Sequence, residues 1–335
     1  VFQVFMAALT NLVLPECSRS QMMIRRIAFA FILFILFGLA FRNSTARELV
    51  VYLPDYRVKS GTGVPRLYGT TELILFSAKP DEAGDGSVDF SRITPALLEF
   101  GKKARTLSPD LRLSVCVGGW GRGKEFATAV SSAEHRTRFV EALVAFCARH
   151  RLDAVDIDWE FPRGEEEHVH FGLFLKELSG RLKQDGRELS AALGYTRPLP
   201  AECWNYLDRV NLMSYQPWSV QPYELWLRES IQRFLDAGLP SEKLMLGVGF
   251  YAKEKAGERR AVSWKTLVAP DSTGLPESEH EFWPVGIDAC DLRVRLVDEF
   301  GLGGVMVWDY GHDSLAPETS LLRHLSRGLG GKDDE

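Results

Sequence analysis

Residues 153–160 read Asp153-Ala154-Val155-Asp156-Ile157-Asp158-Trp159-Glu160. Asp156, Asp158 and Glu160 alternate with Val155, Ile157 and Trp159, which is the period-2 pattern of a β-strand. On a strand the three acids share one face, about 7 Å apart per step. The apolar side chains then point the other way, toward covering helices. Three carboxyls inside a closed barrel are costly unless they share protons and hydrogen bonds. Their crowding is expected to raise at least one pKa and to leave Glu160, last on the strand and nearest the mouth, able to hold a proton as a general acid. A solvated acidic edge is the rival reading, and apolar sequence on both sides argues against it. A metal site is another. No histidine lies inside the strand, however, and His168-x-His170 reads as a polar loop.

Seven more β-like runs flank this one: Leu49–Leu53, Leu73–Phe76, Leu111–Val117, Leu189–Leu193, Val210–Met213, Leu244–Phe250 and Gly304–Trp308. Several are rich in Val, Ile and Leu on both faces, as buried parallel strands are. Helical patterns fall between most of them. Ser131-x-x-Glu134 reads as a capping box ahead of Phe139, Leu143, Phe146 and Cys147 on one helical face. Glu166–Lys183, Tyr223–Ala237, Asp291–Phe300 and Thr319–Ser326 follow the same periodicity. The Gly- and Pro-rich segment between the first two strands predicts a reduced or missing helix.

Eight strands alternating with helices predict an α/β fold, a (β/α)8 TIM barrel over residues 47–329, with 330–335 as a flexible tail. A doubly wound open sheet is the rival. No G-x-G-x-x-G follows the first strand, which weakens its nucleotide-binding form. With 45% hydrophobic and 25% charged residues, the composition excludes disorder, collagen and coiled coil for the bulk of the chain. A net charge of −5 argues against a nucleic-acid binder.

Near the N-terminus, Arg25-Arg26 precedes an apolar run from Ile27 to Phe41, and Ser44-Thr45-Ala46 follows. The run is shorter than the ~20 residues that a membrane-spanning helix needs. Residues 1–46 therefore read as an upstream extension plus a signal peptide cleaved after Ala46, which predicts secretion. The alternative is an anchor formed by residues 27–41. Cleavage would remove four arginines and one glutamate and leave a net charge of −8. Cys116, Cys147, Cys203 and Cys290 remain, too widely spaced for a zinc pattern. Buried free thiols are expected.

The acidic strand resembles the D-x-x-D-x-D-x-E signature of glycoside hydrolase family 18, the chitinase family. Leu113-Ser114-Val115-Cys116-Val117-Gly118-Gly119-Trp120 resembles that family's S-x-G-G strand, and Met213-Ser214-Tyr215-Gln216 its M-x-Y-D strand end. Lys243–Tyr251 and Gly303–Trp308 resemble the seventh and eighth strands. The resemblance covers nearly all of residues 48–313. The short stretch between Tyr251 and Gly303 implies that the family's chitinase insertion domain is missing and that the groove is shallow, suited to internal, endo-acting cleavage.

The resemblance implies a cofactor-free, metal-free, substrate-assisted retaining hydrolysis of β-1,4 bonds in N-acetylglucosamine polymers such as chitin and chitooligosaccharides. Glu160 would be the general acid and then the base. The substrate's acetamido oxygen would attack the anomeric carbon. Asp158 would hold the acetamido N–H, Asp156 would share a proton with Asp158, and Tyr215 would orient the acetamido oxygen. Trp308 would floor the sugar, with Tyr52, Trp120, Met213 and Gln216 in the substrate site and Trp218 as a further aromatic platform. Three positions depart from the pattern. Cys116 stands for the family's serine, Gln216 for the last acid of M-x-Y-D, and Ala154 for a glycine. An endo-β-N-acetylglucosaminidase acting on N-glycans and a non-catalytic chitinase-like lectin are the alternatives. A monomer is expected, with a polysaccharide or oligosaccharide partner and neither nucleic acid nor stable membrane insertion.

Overall fold

A computed structural model describes residues 47–64, 66–215, 222–255, 260–270 and 282–331. The expectations for residues 1–46, for Gln216 and Trp218, and for the last four residues of the tail lie outside the described residues.

Eight parallel strands form the sheet. They are β1 (Glu48–Pro54), β2 (Glu72–Pro80), β3 (Arg112–Gly118), β4 (Ala154–Asp158), β5 (Glu188–Gly194), β6 (Arg209–Met213), β7 (Leu244–Gly249) and β8 (Gly304–Trp308). Neighbours in sequence are neighbours in space, and β1 pairs with both β2 and β8, so the sheet closes on itself. Val50 is in register with Met306 on one side and with Glu72 on the other. This is the (β/α)8 barrel expected from the alternating pattern.

The outward-facing residues build the main core. Leu49, Val51 and Leu53 on β1, Val155 and Ile157 on β4, and Val305 and Val307 on β8 are buried against helices. The longer helices among the described residues are α1 (Pro95–Leu107), α2 (Ala133–His150), α3 (Gly164–Gln184), α4 (Tyr223–Asp236), α5 (Ile287–Phe300) and α6 (Leu321–Gly328). Trp159 closes the outer face of β4 between Phe126, whose ring stacks on it at 5.3 Å, and Phe171, edge-on at the same distance. Each such ring fully buried contributes roughly 1.5–3 kcal/mol. As expected, β1 runs into β2 with no full helix, only a 3-10 turn at Asp55–Arg57. Between β5 and β6 a 3-10 turn at Ala201–Asn205 also stands in for a helix.

Three local expectations need correction. The cap of α2 is Ser132, whose hydroxyl accepts from the His135 N–H, so the box built on Ser131 and Glu134 is displaced by one residue. Two adjacent serines are equally competent caps, and the register of the apolar face chooses between them. His168 and His170 lie in α3 rather than in a loop. The strands are also less apolar on the inside than expected. The inner face carries Val50, Ile74, Met245 and Met306, but also Glu72, Ser114, Asp156, Ser190, Arg209 and Asn211, all buried.

That polar content is layered. At the N-terminal end of the barrel, Glu72 is fully buried and accepts from Ser114. Arg209 pairs with Glu72 and lies 2.6 Å from Glu188. Arg112 reaches Glu48, Glu72 and Glu188. This plug of acids and arginines closes the bottom. The acids of β4 lie toward the other end, where the loops after the strands leave an open mouth.

Candidate active site

Asp156 sits deep in the barrel with no exposed surface. Its carboxyl is held by donors from three other strands. Tyr52 Oη donates to Oδ2 at 2.7 Å, Ser190 Oγ to Oδ1 at 2.6 Å and Asn211 Nδ2 to Oδ1 at 3.0 Å. Asn211 Nδ2 also donates to Tyr52 Oη at 3.1 Å, which leaves the phenolic hydrogen free for the carboxylate. The Cys116 thiol is a further partner of Asp156. Burial raises the Asp156 pKa, and the donors oppose that rise.

Asp158 is one step closer to the mouth and 4% exposed. Its Oδ1 is buried without a hydrogen-bond partner among the described residues. Burial, then Glu160, then Asp156 push its pKa well above the ordinary value. Two glycines let the backbone close around it. A Cβ on Gly118 (φ +109) would lie 2.0 Å from the Asp158 carbonyl oxygen, and one on Gly119 (φ +100) would lie 2.3 Å from the Phe76 ring. The Gly119 N–H donates to that same carbonyl at 2.8 Å. Here glycine is a steric requirement.

Glu160 lies two residues past the end of β4, where it borders the cavity. Burial alone raises its pKa from 4.5 to about 7. A carboxyl that retains its proton near neutrality can act as an acid and then, once ionised, as a base.

The cavity above these acids measures about 830 Å³. Asp158, Glu160, Tyr215, Trp308, Tyr52, Trp120 and Met213 all line it, and Asp156 lies beneath. Apart from Gln216, outside the described residues, the expected site residues are thus brought together. Tyr215 Oη reaches Met306 Sδ at 3.4 Å, and burial holds its pKa well above 10.0. Trp120 is 76% exposed at the lip. Trp308 packs edge-on against Phe76 at 4.7 Å and tilted against Tyr52 at 5.8 Å. Behind it, buried Asp309 accepts from Arg57 Nε at 3.3 Å and Nη2 at 3.2 Å.

Sequence reading missed Ser190, Asn211, Phe76 and Arg122. The first two left a signal: each is a lone polar residue at an inward position of an apolar strand. Phe76 ends the β-like run Leu73–Phe76, and nothing in the sequence marks it as cavity wall. Arg122 stacks over Phe76 at 5.0 Å and donates to Ser77 Oγ at 2.8 Å and Asp55 Oδ1 at 3.2 Å, a placement set by loop shape. All four described cysteines are buried free thiols, as expected. Among the described residues no group of three or more His, Cys, Asp or Glu side chains is placed to hold a metal.

Residues 48–281 match the family described as glycosyl hydrolases family 18. The chain belongs to that family. The chain is 29% identical over 170 residues to probable chitinase 2 of Drosophila melanogaster, covering 43% of this chain and 35% of that protein. It is 22% identical over 285 residues to endochitinase 1 of Metarhizium robertsii, covering 67% and 66%. The chain therefore spans about a third of the first relative and just under two thirds of the second. The crystal structure of a family 18 chitinase from the chitin utilization locus of Flavobacterium johnsoniae superposes with a TM-score of 0.73 at 22% identity, over 85% of this chain and 94% of that one. At that identity the likeness shows the fold.

Proposed function

We propose that this family 18 chain is a glycoside hydrolase that cleaves β-1,4 linkages at N-acetylglucosamine residues by a substrate-assisted, retaining mechanism. The observation that carries the reading is the pairing of Glu160, which keeps a proton to about pH 7, with Asp158, whose buried Oδ1 lacks a partner. Glu160 gives its proton to the leaving glycosidic oxygen as the anomeric C–O bond breaks. The acetamido oxygen of the same sugar closes on the anomeric carbon and forms an oxazolinium ion. Asp158 Oδ1 accepts the acetamido N–H, which satisfies the unpartnered oxygen and sets an oxygen acceptor beside the growing positive charge. Tyr215 Oη orients the acetamido oxygen, and Trp308 supplies the apolar floor. Ionised Glu160 then removes a proton from water, which opens the oxazolinium with net retention.

The names of the relatives support a chitin-type substrate. Catalytic domain 2 of a Group II chitinase from Ostrinia furnacalis, with a TM-score of 0.73 to this chain, was solved in complex with (NAG)5. Secretion, with residues 1–46 as the export signal, is part of this proposal. N-terminal sequencing of exported protein tests it, and a mature start at Arg47 is the expected result.

The test of function is hydrolysis of a fluorogenic N-acetylglucosamine trimer by the wild type beside Glu160→Gln. Activity that falls about 10²-fold or more in the variant supports the reading. Equal activity in both removes Glu160 from the chemistry. Binding of the trimer without cleavage by the wild type would make the chain a lectin.

A further inference from the structure

The 3-10 turn at Asp55–Arg57 opens a connection with no full helix among the described residues, so helix packing does not fix it. Charged side chains do. On one side Asp55 lies 2.7 Å from Arg92 and 3.2 Å from Arg122. On the other, Arg57 reaches across to the end of β8. Its Nε donates to Asp309 Oδ1 at 3.3 Å and its Nη2 to Oδ2 at 3.2 Å. Nη2 also lies 2.6 Å from His312 Nε2, which must accept, because a guanidinium only donates. His312 Nδ1 is 3.2 Å from the same carboxylate. The backbone presses close here: a Cβ on Gly311 would lie 2.4 Å from Arg57 Cδ. Asp309 is fully buried, so its pairing with Arg57 fixes the backbone at the end of β8. Both ends of this bridge border the cavity. Tyr56 lines the wall, 52% exposed, with the Arg57 guanidinium 5.1 Å from its ring centroid. Trp308, which lines the floor, immediately precedes Asp309. A third line of contact runs from His312 to the Tyr251 ring at 5.5 Å and on to Tyr215 at 6.5 Å.

We propose that Arg57 is a positioning residue for the glycan site: one guanidinium holds Tyr56 on the wall and Trp308 on the floor in the arrangement that a bound sugar chain requires. The glycan in this proposal rests on the hydrolase reading above, and the hold on the two rings rests on the distances. The two rings act at different stages. Tyr56 is exposed at the wall and meets the sugar chain as it binds. In the hydrolase reading Trp308 lies under the sugar whose bond breaks, so its placement acts on the chemical step. Lysine keeps a positive charge near Asp309 but is a point donor. It cannot meet both carboxylate oxygens, reach His312 and cover the Tyr56 ring together.

The experiment uses the full chain and two readouts, at a temperature where each variant is folded. Binding of an N-acetylglucosamine hexamer is measured by titration calorimetry in the Glu160→Gln background, so that no turnover occurs. Hydrolysis of the fluorogenic trimer is measured with Glu160 intact. Arg57→Lys is expected to raise the hexamer Kd by roughly 3- to 10-fold, and by less than about twofold once Tyr56→Ala is present, because the two side chains act as one unit. It is also expected to lower kcat by about 10-fold or more, with or without Tyr56, as small misplacements near a reacting centre do. Asp309→Asn loosens the same bridge without leaving a buried charge stranded. It is expected to lower kcat likewise, and it carries the test if Arg57→Lys does not fold. An unchanged kcat in both variants, or a Kd effect of the same size with and without Tyr56, overturns the positioning role alone. Wild type that binds the hexamer but does not cleave the trimer overturns the hydrolase reading, and the Kd cycle then decides the hold on Tyr56. Wild type that neither binds nor cleaves overturns both.

Discussion

Tyr52 on β1 donates its hydroxyl hydrogen to Asp156 on β4 at 2.7 Å, across the inside of the barrel. A phenol held this way favours the ionised form of the carboxyl it faces. Removing it in Tyr52→Phe leaves Ser190 and Asn211 as donors and raises the Asp156 pKa further. The expected outcome is an acid limb of the kcat profile shifted up by roughly one pH unit. A merely structural role would lower stability and leave the limb in place, so the pH profile decides. An unshifted limb would remove Tyr52 from the proton balance of the site.

In the proposed mechanism Glu160 sets the other limb. A general acid must be protonated, and burial raises the Glu160 pKa to about 7. The profile of kcat/KM is therefore expected to fall about tenfold per unit above pH 7, as a single ionisation in the free enzyme does. A plateau extending to pH 9 would contradict this assignment.

The same ionisation affects stability. The folded pKa of Glu160 lies above its ordinary value of 4.5. Its protonated form therefore suits the folded state, and its contribution is complete below pH 4.5 and lost as pH rises through about 7. Ionised Glu160 costs the fold on the order of 3 kcal/mol at alkaline pH. Glu160→Gln is expected to match the wild type in melting temperature at pH 4 and to exceed it at pH 8. A variant that melts lower at pH 8 would show that the buried carboxylate is better satisfied than its surroundings suggest.

Arg293 is fully buried in α5 and, among the described residues, has four acceptors but no carboxylate among its hydrogen bonds. It donates to the carbonyls of Gly247 at 3.2 Å, Ala289 at 3.2 Å and Ser214 at 3.0 Å, and to Tyr223 Oη at 2.5 Å. Tyr223 in turn donates to the Tyr215 carbonyl at 2.8 Å. The guanidinium thus fixes the end of β6 from which Tyr215 enters the cavity. A lysine cannot serve all four acceptors. Arg293→Lys is expected to lose about 2–4 kcal/mol of stability and to lower kcat more than it raises KM. Denaturant unfolding and steady-state kinetics at a temperature where the variant is folded check both halves.

The barrel was legible because its outer faces are apolar at every second position, as Leu49, Val51 and Leu53 on β1 illustrate. The acidic strand was legible because its acids keep the same period as its apolar residues. The inner face was harder. Ser190 and Asn211 sit inside runs that look like plain core, and their partner Asp156 lies on a different strand. Pairing across a closed barrel depends on strand stagger, which local sequence does not encode. The meeting of three arginines at the mouth was illegible for a related reason. Arg122, Arg163 and Arg197 are far apart in sequence, and only the loops after β3, β4 and β5 bring them to one mouth. Arg293 reads as an ordinary helix-surface arginine until α5 is packed against β7.

The plug at the barrel bottom gives the last expectation. Glu72 is fully buried and Arg209 nearly so, at 4% exposure. Removing one partner strands the other charge in a low-dielectric interior, which typically costs about 3–5 kcal/mol. Arg209→Met alone is therefore expected to destabilise the fold by about that amount. Glu72 also raises the Asp156 pKa, so the bottom of the barrel and the acidic strand share one electrostatic environment. Replacing both charges, with Glu72→Leu added to Arg209→Met, removes the stranded carboxylate. The double variant is expected to recover most of the loss, because an apolar layer of similar volume avoids the desolvation cost of the pair. Denaturant midpoints for the two single variants and the double form a thermodynamic cycle that isolates the coupling. Additive losses would mean that Arg112, 3.5 Å from both Glu72 and Glu188, neutralises this end of the barrel without Arg209.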